Sequence, residues 1–204
     1  MKIESSGMLI IDKPAGITSA KVVALLKRNA GLRKVGHTGT LDPFATGVLI
    51  CCVNQATRLA RFFLHGSKKY QGTLVLGTET DTLDGTGNVT ATCEHTDFSV
   101  DRIESAFRRF VGAIDQVPPV YSALKHHGVP LYKLARKGTP VQKPARQVTI
   151  SSLDILNIDL PKIDFQVACS AGTYIRTLCA DIGTELGCGG HLQRLTDREL
   201  RVFR

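Results

Sequence analysis

The chain has 204 residues, of which 43% are hydrophobic and 22% are charged, as in compact globular proteins and unlike disordered segments. Lysine and arginine outnumber aspartate and glutamate by 26 to 18, so the formal net charge is +8, which favours a polyanionic partner such as nucleic acid. No apolar run approaches the roughly 20 residues of a membrane helix, and no secretion signal opens the chain. We therefore expect no membrane contact and a cytoplasmic location.

Short apolar runs predict strands, and capped periodic segments predict helices. The predicted strands are Met8–Ile11, Val48–Val53, Thr73–Gly77, Val148–Ser152 and Ile163–Cys169. The predicted helices run from Thr18 and Ser19 to Gly31, from Asn54 through Ala56–Leu64 to Gly66, over 101–111, and over 174–186 with Gly187 as the stop. Because loops rather than single helices separate many of the strands, we predict an α+β fold with a mixed, largely antiparallel central sheet, flanked by helices and loops. We predict a single domain over residues 1–204.

The six cysteines form no Cys-x-x-Cys pair and no Cys/His spacing of the zinc type, so no structural metal is expected. Cysteines in apolar runs, such as Cys51 and Cys52, are predicted to be small buried hydrophobes in a reducing compartment.

Charge is distributed unevenly along the chain. Residues 72–101 hold six acids and no base, whereas residues 120–147 hold six bases, two histidines and no acid. The segment 118–147 is bracketed by prolines and only weakly helical around Pro130–Lys137, which predicts a long excursion from the sheet. Such insertions are typically functional or mobile. A solvated basic surface is the alternative.

The loop Gly36–Gly47 contains three glycines, one proline and a single carboxylate, Asp42. Asp42 has either a structural role, as a local ion-pair partner or as a turn former before Pro43, or the role of a nucleophile, and the spacing leaves both interpretations open. A phosphate-binding loop would need a lysine followed by Ser/Thr after its last glycine, and none follows Gly47. Paired-carboxylate chemistry would need a second acid, which this loop does not contain. The segment Asp81–Gly85 lacks the alternating acids of a calcium loop and is predicted to be a solvated turn.

Five ordered motifs resemble the TruB-type pseudouridine synthases, across residues 7–195. They are the loop Gly36–Gly47, the opening segment Leu9–Ser19, Lys69-Tyr70 with Leu76–Asp84, the segment Val117–Lys125, and Cys169–Arg176. The resemblance implies conversion of a specific uridine of tRNA, position 55 in the T loop, to pseudouridine, without cofactor or metal. It implies the family's catalytic fold with an RNA-gripping insertion at about 118–147. Many members also carry a C-terminal PUA-type RNA-binding domain, which this sequence is expected to lack, either because the protein has none or because the sequence is part of a longer chain.

The resemblance also implies roles for individual residues. Asp42 would be the catalytic aspartate, and Arg176 would pair with it, because a guanidinium keeps a partly buried carboxylate ionised. Tyr70 would stack on the target base and assist proton removal. The remaining residues implied to bind the RNA are His37, which would fill the space of the flipped uridine, Tyr174 and Leu195, which would line the base pocket, Lys13, which would support the loop or the RNA backbone, and Lys125 of the insertion.

The expected partner is tRNA, bound by a monomer that requires no protein partner. Two other functions stay open, namely a guide-RNA-dependent synthase acting on ribosomal RNA and a catalytically inactive RNA-binding or RNA-folding module. The chain departs from the family pattern at Thr196 and Asp197, where two arginines usually follow the leucine, which puts phosphate contacts at this end in doubt.

Overall fold

The computed structural model describes residues 5–64 and 66–198. The chain forms two compact units, the first comprising Met1–Gln71 with Arg194–Arg204 and the second Gly72–Gln193. The single domain predicted for residues 1–204 stays a prediction.

Strands dominate the secondary structure of the described residues. The strands are β1 (Gly7–Lys13), β2 (Val35–His37), β3 (Thr46–Val53), β4 (Lys68–Leu76), β5 (Thr78–Thr80), β6 (Val89–Thr92), β7 (Gly112–Gln116), β8 (Lys125–His126), β9 (Val129–Pro130), β10 (Arg146–Asp159), β11 (Lys162–Cys169) and β12 (Gly190–Asp197). The helices are α1 (Ser19–Asn29), α2 (Ala60–Phe63), α3 (Val100–Arg108), α4 (Leu131–Arg136) and α5 (Ile175–Leu186), and a 3-10 helix spans Asn54–Leu59. The chain passes from one unit to the other within β4 and within β12.

The first unit has the strand order β1-β3-β12-β4, with β2 also paired to β3. Strands β1 and β3 are antiparallel, whereas the end of β12 runs parallel to β3. Helix α1 begins after Thr18, whose hydroxyl accepts a hydrogen bond from the backbone of Lys21, as expected for an N-cap. Its apolar face packs on a core formed by Val22, Leu32, Val35, Leu49, Cys51 and Val53.

The second unit has the strand order β4-β11-β10-β7, in which β10 pairs antiparallel with both β11 and β7. Its core contains the fully buried Ile103 of α3 and the edge-to-face rings of Phe107 and Phe165. Helix α5 ends at Gly187, which has a φ of +88°, the left-handed conformation that glycine adopts most easily. This unit also contains the segment 118–147, which forms the hairpin β8–β9 and the short helix α4.

The predicted α+β fold with a mixed, largely antiparallel sheet is confirmed. All five predicted strands are present, although β4 starts five residues earlier than predicted and β10 extends to Asp159. The helix predicted over Ala56–Leu64 was wrong in part, since a 3-10 helix precedes the single turn of α2. Strands β7 and β12 were missed, because neither has the apolar run that predicted those five, and the short strands β2, β5, β6, β8 and β9 were missed as well. No helix within residues 5–64 and 66–198 combines the length and the apolar character that crossing a membrane requires.

Gly47 allows β12 to approach the end of the Asp42 loop. Its φ is +104°, and a Cβ atom there would lie 2.2 Å from the backbone oxygen of Asp197. We expect Gly47→Ala to lower the free energy of unfolding by about 2–4 kcal/mol, because the strained φ and the overlap with backbone both add cost. Urea denaturation measures this change. Gly39→Ala is the matched control, because its Cβ would enter open space, and an equally small effect of both substitutions would contradict the argument.

Candidate active site

The backbone on both sides of Asp42 is held by neighbouring groups of the first unit. Ser19, the first residue of α1, is 1% exposed, and its hydroxyl accepts from the N–H of Leu41 at 2.9 Å and donates to the Leu41 carbonyl at 3.2 Å. The carbonyl of Asp42 accepts from the N–H of Ala45 at 3.1 Å, which closes a tight turn. The Asp42 side chain is half-buried. The loop therefore presents one carboxylate from a backbone that has few alternative conformations.

Lys13 is the second anchor of this loop. Its side chain is completely buried, and its ammonium donates to the carbonyls of Ala45 at 2.7 Å, Pro14 at 2.9 Å and Pro43 at 3.2 Å. Burial lowers the pKa of Lys13, whereas the negative charge of Asp42 raises it. Of the two roles predicted for Lys13, loop support is the one that these contacts favour, because a buried ammonium has no surface with which to meet an RNA backbone.

The other first-unit residues of the predicted site lie on strands. Tyr70 is half-buried on β4, and Leu195, which is 7% exposed, lies on β12. These two strands are neighbours, and Arg198 joins them by donating its N–H to the Lys69 carbonyl at 3.0 Å. His37 ends β2 and is half-buried; its pKa is lowered by burial, so the ring is neutral at neutral pH.

In the second unit, Arg176 lies in the first turn of α5 and is 3% exposed. Its guanidinium donates to the carbonyls of Thr82 at 2.7 Å and Tyr121 at 2.9 Å. The Asp84 carboxylate lies 3.7 Å from the same guanidinium, and both side chains are more than nine-tenths buried. The geometry fixes both the position and the orientation of Arg176.

Asp84 was missed by the sequence analysis. The prediction of a solvated turn over Asp81–Gly85 was wrong for this residue, which is 5% exposed. One carboxylate oxygen accepts from the hydroxyl of Thr82 at 2.9 Å and from the N–H and hydroxyl of Thr86 at 2.9 and 2.5 Å, and the other faces Arg176. The threonines two residues before and after Asp84 could have indicated its burial. Hydroxyls at that spacing commonly donate hydrogen bonds to a carboxylate in a turn and so replace its water. The predicted pairing of Arg176 with Asp42 stays a prediction.

Tyr174 and Lys125 complete the predicted set. Tyr174 is half-buried at the start of α5, and the guanidinium carbon of Arg146 lies 5.1 Å from the centre of its ring. Lys125 is exposed on β8 within the segment 118–147. This segment has internal order, since the completely buried Leu131 donates its N–H to the Leu124 carbonyl at 2.7 Å.

The excess positive charge belongs to the first unit. Its residues include 15 lysines and arginines but 5 aspartates and glutamates, whereas the second unit has 11 and 13. Thr196 and Asp197, where the family pattern of the sequence analysis would have two arginines, are half-buried and buried in the first unit. The Thr196 hydroxyl lies 2.9 Å from that of Thr46, and Asp197 is 8% exposed. The net charge of +8 is therefore the sum of a strongly basic first unit and a nearly neutral second unit.

Comparison with known proteins identifies the family. Residues 27–175 match the TruB family pseudouridylate synthase (N terminal domain). The chain belongs to the TruB family of pseudouridylate synthases. This confirms the resemblance found in the five motifs.

Individual TruB-family relatives match nearly the whole chain. It is 50% identical over 196 residues to the tRNA pseudouridine synthase B of Syntrophotalea carbinolica, which covers 96% of this chain and 63% of that relative. The corresponding protein of Bordetella pertussis is 47% identical over 97% of this chain and 82% of that relative. A chain in a crystal structure of a Cbf5-Nop10-Gar1 complex matches with a TM-score of 0.74 and 32% identity, covering 95% of this chain and 48% of that chain. The chain thus spans less than two thirds of the length of the Syntrophotalea relative.

Removing the Lys13 ammonium tests whether it holds the Asp42 loop. We expect Lys13→Met, which keeps the length of the side chain, to lower the free energy of unfolding by about 2–4 kcal/mol, because three carbonyls lose a charged donor. Lys21→Met is the matched control on the exposed face of α1, where a change within about 0.5 kcal/mol is expected. Chemical denaturation measures both, and a stable Lys13→Met protein would show that the loop does not depend on this contact.

The Asp84–Arg176 pair supports a second stability prediction. We expect Asp84→Asn to lower the free energy of unfolding by about 2–4 kcal/mol, because the buried guanidinium loses a facing negative charge. Asp154→Asn, at an exposed position of β10, serves as the control for loss of a carboxylate. Equal melting temperatures for Asp84→Asn and the unsubstituted protein would mean that Arg176 is balanced by other groups.

Proposed function

We propose that this chain isomerises a uridine of tRNA, position 55 of the T loop, to pseudouridine. The observation that carries the proposal is the single carboxylate of Asp42 on a loop anchored by Ser19 and the buried Lys13. A turn-forming aspartate needs no such anchoring, whereas a nucleophile gains from a fixed geometry. The relatives named tRNA pseudouridine synthase B support the substrate class.

The proposed reaction moves one bond within the nucleotide. The glycosidic bond between the ribose and N1 of uracil breaks, the base turns, and a bond between the ribose and C5 forms. The proton on C5 leaves and N1 gains a proton, so there is neither redox change nor net hydrolysis. Asp42 supplies the nucleophile, and no cofactor or metal enters the proposal. Within the described residues, no three His, Cys, Asp or Glu side chains are grouped to hold a metal ion.

The other residues prepare the base for this step. We assign Tyr70 to stacking on the base and to proton removal, and Tyr174 and Leu195 to the walls of its pocket. We assign His37 to the space that the flipped uridine vacates, where its planar ring replaces the stacking lost from that space. A neutral ring suits this role. Arg176 keeps Asp42 ionised, and Asp84 orients Arg176 through the buried pair described above.

RNA affinity is proposed to come from the basic first unit and from the basic segment 118–147, including the exposed Lys125. Each phosphate contact made by lysine or arginine releases counterions, so binding should weaken steeply as salt rises. The segment 72–101 of the second unit, with six acids and no base, would oppose this attraction.

The two alternatives predict different assay results. The similarity to a Cbf5-Nop10-Gar1 complex favours a synthase that works with other proteins, but at 32% identity it is more distant than the relatives named tRNA pseudouridine synthase B. We further propose that the chain acts alone as a monomer. Conversion of tRNA by the purified chain, without guide RNA or protein, would support this. Conversion that requires either one would favour the alternative, and binding without conversion would favour an inactive module.

The decisive substitution is Asp42→Asn, which keeps the shape of the side chain and removes its nucleophilicity. With unmodified tRNA and position-resolved pseudouridine mapping, we expect the rate to fall by about 10³-fold or more. The tRNA dissociation constant should change little, because phosphate contacts come from other residues. Asp12→Asn is the matched control, since Asp12 is an exposed acid of β1 in the same unit.

Three results would contradict the proposal in different ways. Wild-type activity in a folded Asp42→Asn protein would eliminate the nucleophile role. A product outside the T loop would overturn the substrate position. An equal loss of activity in Asp12→Asn would mean that the assay reports overall charge rather than catalysis.

A further inference from the structure

Tyr174 occupies an unusual place for an aromatic residue. It is the residue before α5, the N-cap position, where Ser, Thr, Asp and Asn are preferred because their side chains bond to the first helical N–H groups. The Tyr174 side chain makes no such capping bond. Another interaction must therefore fix the backbone at this helix start.

Gln116 of β7 supplies that interaction. It is 1% exposed, and its side-chain oxygen accepts from the N–H of Tyr174 at 2.7 Å, while its side-chain nitrogen donates to the Tyr174 carbonyl at 3.1 Å. The same carbonyl accepts from the N–H of Leu178 at 3.1 Å, so both of its lone pairs are used. One buried amide thus satisfies both backbone groups of Tyr174 and holds it in register with the helix.

Arg146 holds the ring of the same residue. Its guanidinium lies over Tyr174 at 5.1 Å and donates to the carbonyl of Gly172, in the turn that leads to α5. The cation and the ring face attract each other, and the bond to Gly172 fixes the cation in place. The turn is also tied to β10 at Ser170, whose N–H donates to the Thr149 carbonyl at 2.8 Å.

Gln116 and Arg146 are themselves a pair, because they face each other across the antiparallel strands β7 and β10. The segment 118–147 leaves β7 just after Gln116, and Arg146 lies at its other end. The two residues that hold Tyr174 therefore stand at the base of the proposed RNA-gripping insertion.

We propose that Gln116 and Arg146 are positioning residues that fix Tyr174 before RNA binds. The inference rests on the proposed function, in which Tyr174 lines the pocket of the flipped base. Gln116 sets the backbone at residue 174, and with it the start of the helix that carries Arg176 two residues later. Arg146 sets the ring plane. A pocket wall held in this way does not have to be ordered when the base enters. The conformational entropy that such ordering would remove therefore does not add to the activation free energy.

Kinetics of tRNA conversion test the proposal. We expect Arg146→Met to lower the rate constant about 10- to 100-fold, as small displacements at reacting centres do. Arg146→Lys keeps the charge but loses the planar group, so it should restore part of the rate. Gln116→Met, which keeps the length and loses both hydrogen bonds, should also lower the rate. Gln166→Met is the matched control, because Gln166 is exposed on β11 and lies outside the proposed RNA-binding segment.

A double-mutant cycle separates positioning from general stability or charge. If Arg146 acts through the ring, Arg146→Met should lower the rate of a Tyr174→Leu protein by less than about twofold. A full loss of rate in that background would overturn the proposal, as would unchanged kinetics of both Arg146→Met and Gln116→Met. Should Gln116→Met fail to fold, the half-buried Arg146 decides the outcome.

A spectroscopic cycle gives an answer that does not depend on activity. The chain has four tyrosines and no tryptophan, so its near-ultraviolet circular dichroism contains a tyrosine band without tryptophan overlap. Arg146→Met should alter this band in the unsubstituted protein and leave it unchanged in Tyr174→Leu. Absence of any change in the tyrosine band would overturn the proposal that Arg146 fixes the Tyr174 ring. If the unsubstituted chain made no pseudouridine, the proposed function would fail, and this cycle would still test the contact.

Discussion

The buried ammonium of Lys13 makes the interaction on which the loop that carries Asp42 depends. A fully buried cation is costly unless acceptors replace its water, and here three backbone carbonyls do so. Two of them, from Pro43 and Ala45, belong to the loop that carries Asp42. The loop cannot move away without leaving a buried charge unsolvated. Because Lys13 ends β1 and β1 pairs with β3, the position of Asp42 follows from the sheet itself.

The same principle recurs in the second unit with different chemistry. The side chains proposed to be functional are positioned by groups that bind the backbone beside them, so their own reactive atoms need not serve as structural contacts. Ser19 and Lys13 do this for Asp42, and Gln116 does it for Tyr174. Arg176 is held more directly, by two carbonyls and the Asp84 carboxylate. This suits a cation that is proposed to tune a neighbour rather than to react.

Local patterns predicted those parts of the fold that depend on local physics. Apolar runs gave β1 and β3, the Thr18 cap gave the start of α1, and Gly187 gave the end of α5. The sequence could not reveal β12, because two of its polar residues, His191 and Asp197, are buried against groups that are distant along the chain. The burial of Asp84 was hidden for the same reason, since its partner Arg176 is 92 residues away. Motif resemblance predicted the candidate residues, but not the groups that hold them.

Charge is separated between the units in a way that fits two different tasks. Attraction of a phosphate backbone acts over a distance of roughly 10 Å and depends on net charge, so in the proposed function the basic first unit would supply most of the long-range attraction, beside the basic segment 118–147. Fixing Arg176 and Tyr174 depends instead on short contacts to buried groups, for which net charge is irrelevant. In the proposed function, the nearly neutral second unit could therefore carry Asp84 at little cost to the attraction of RNA. The basic unit also accommodates the negative charge of Asp42, which is the only acid of residues 13–78. At long range the positive charges of the unit outweigh the field of Asp42, and at short range Asp42 interacts electrostatically with Lys13.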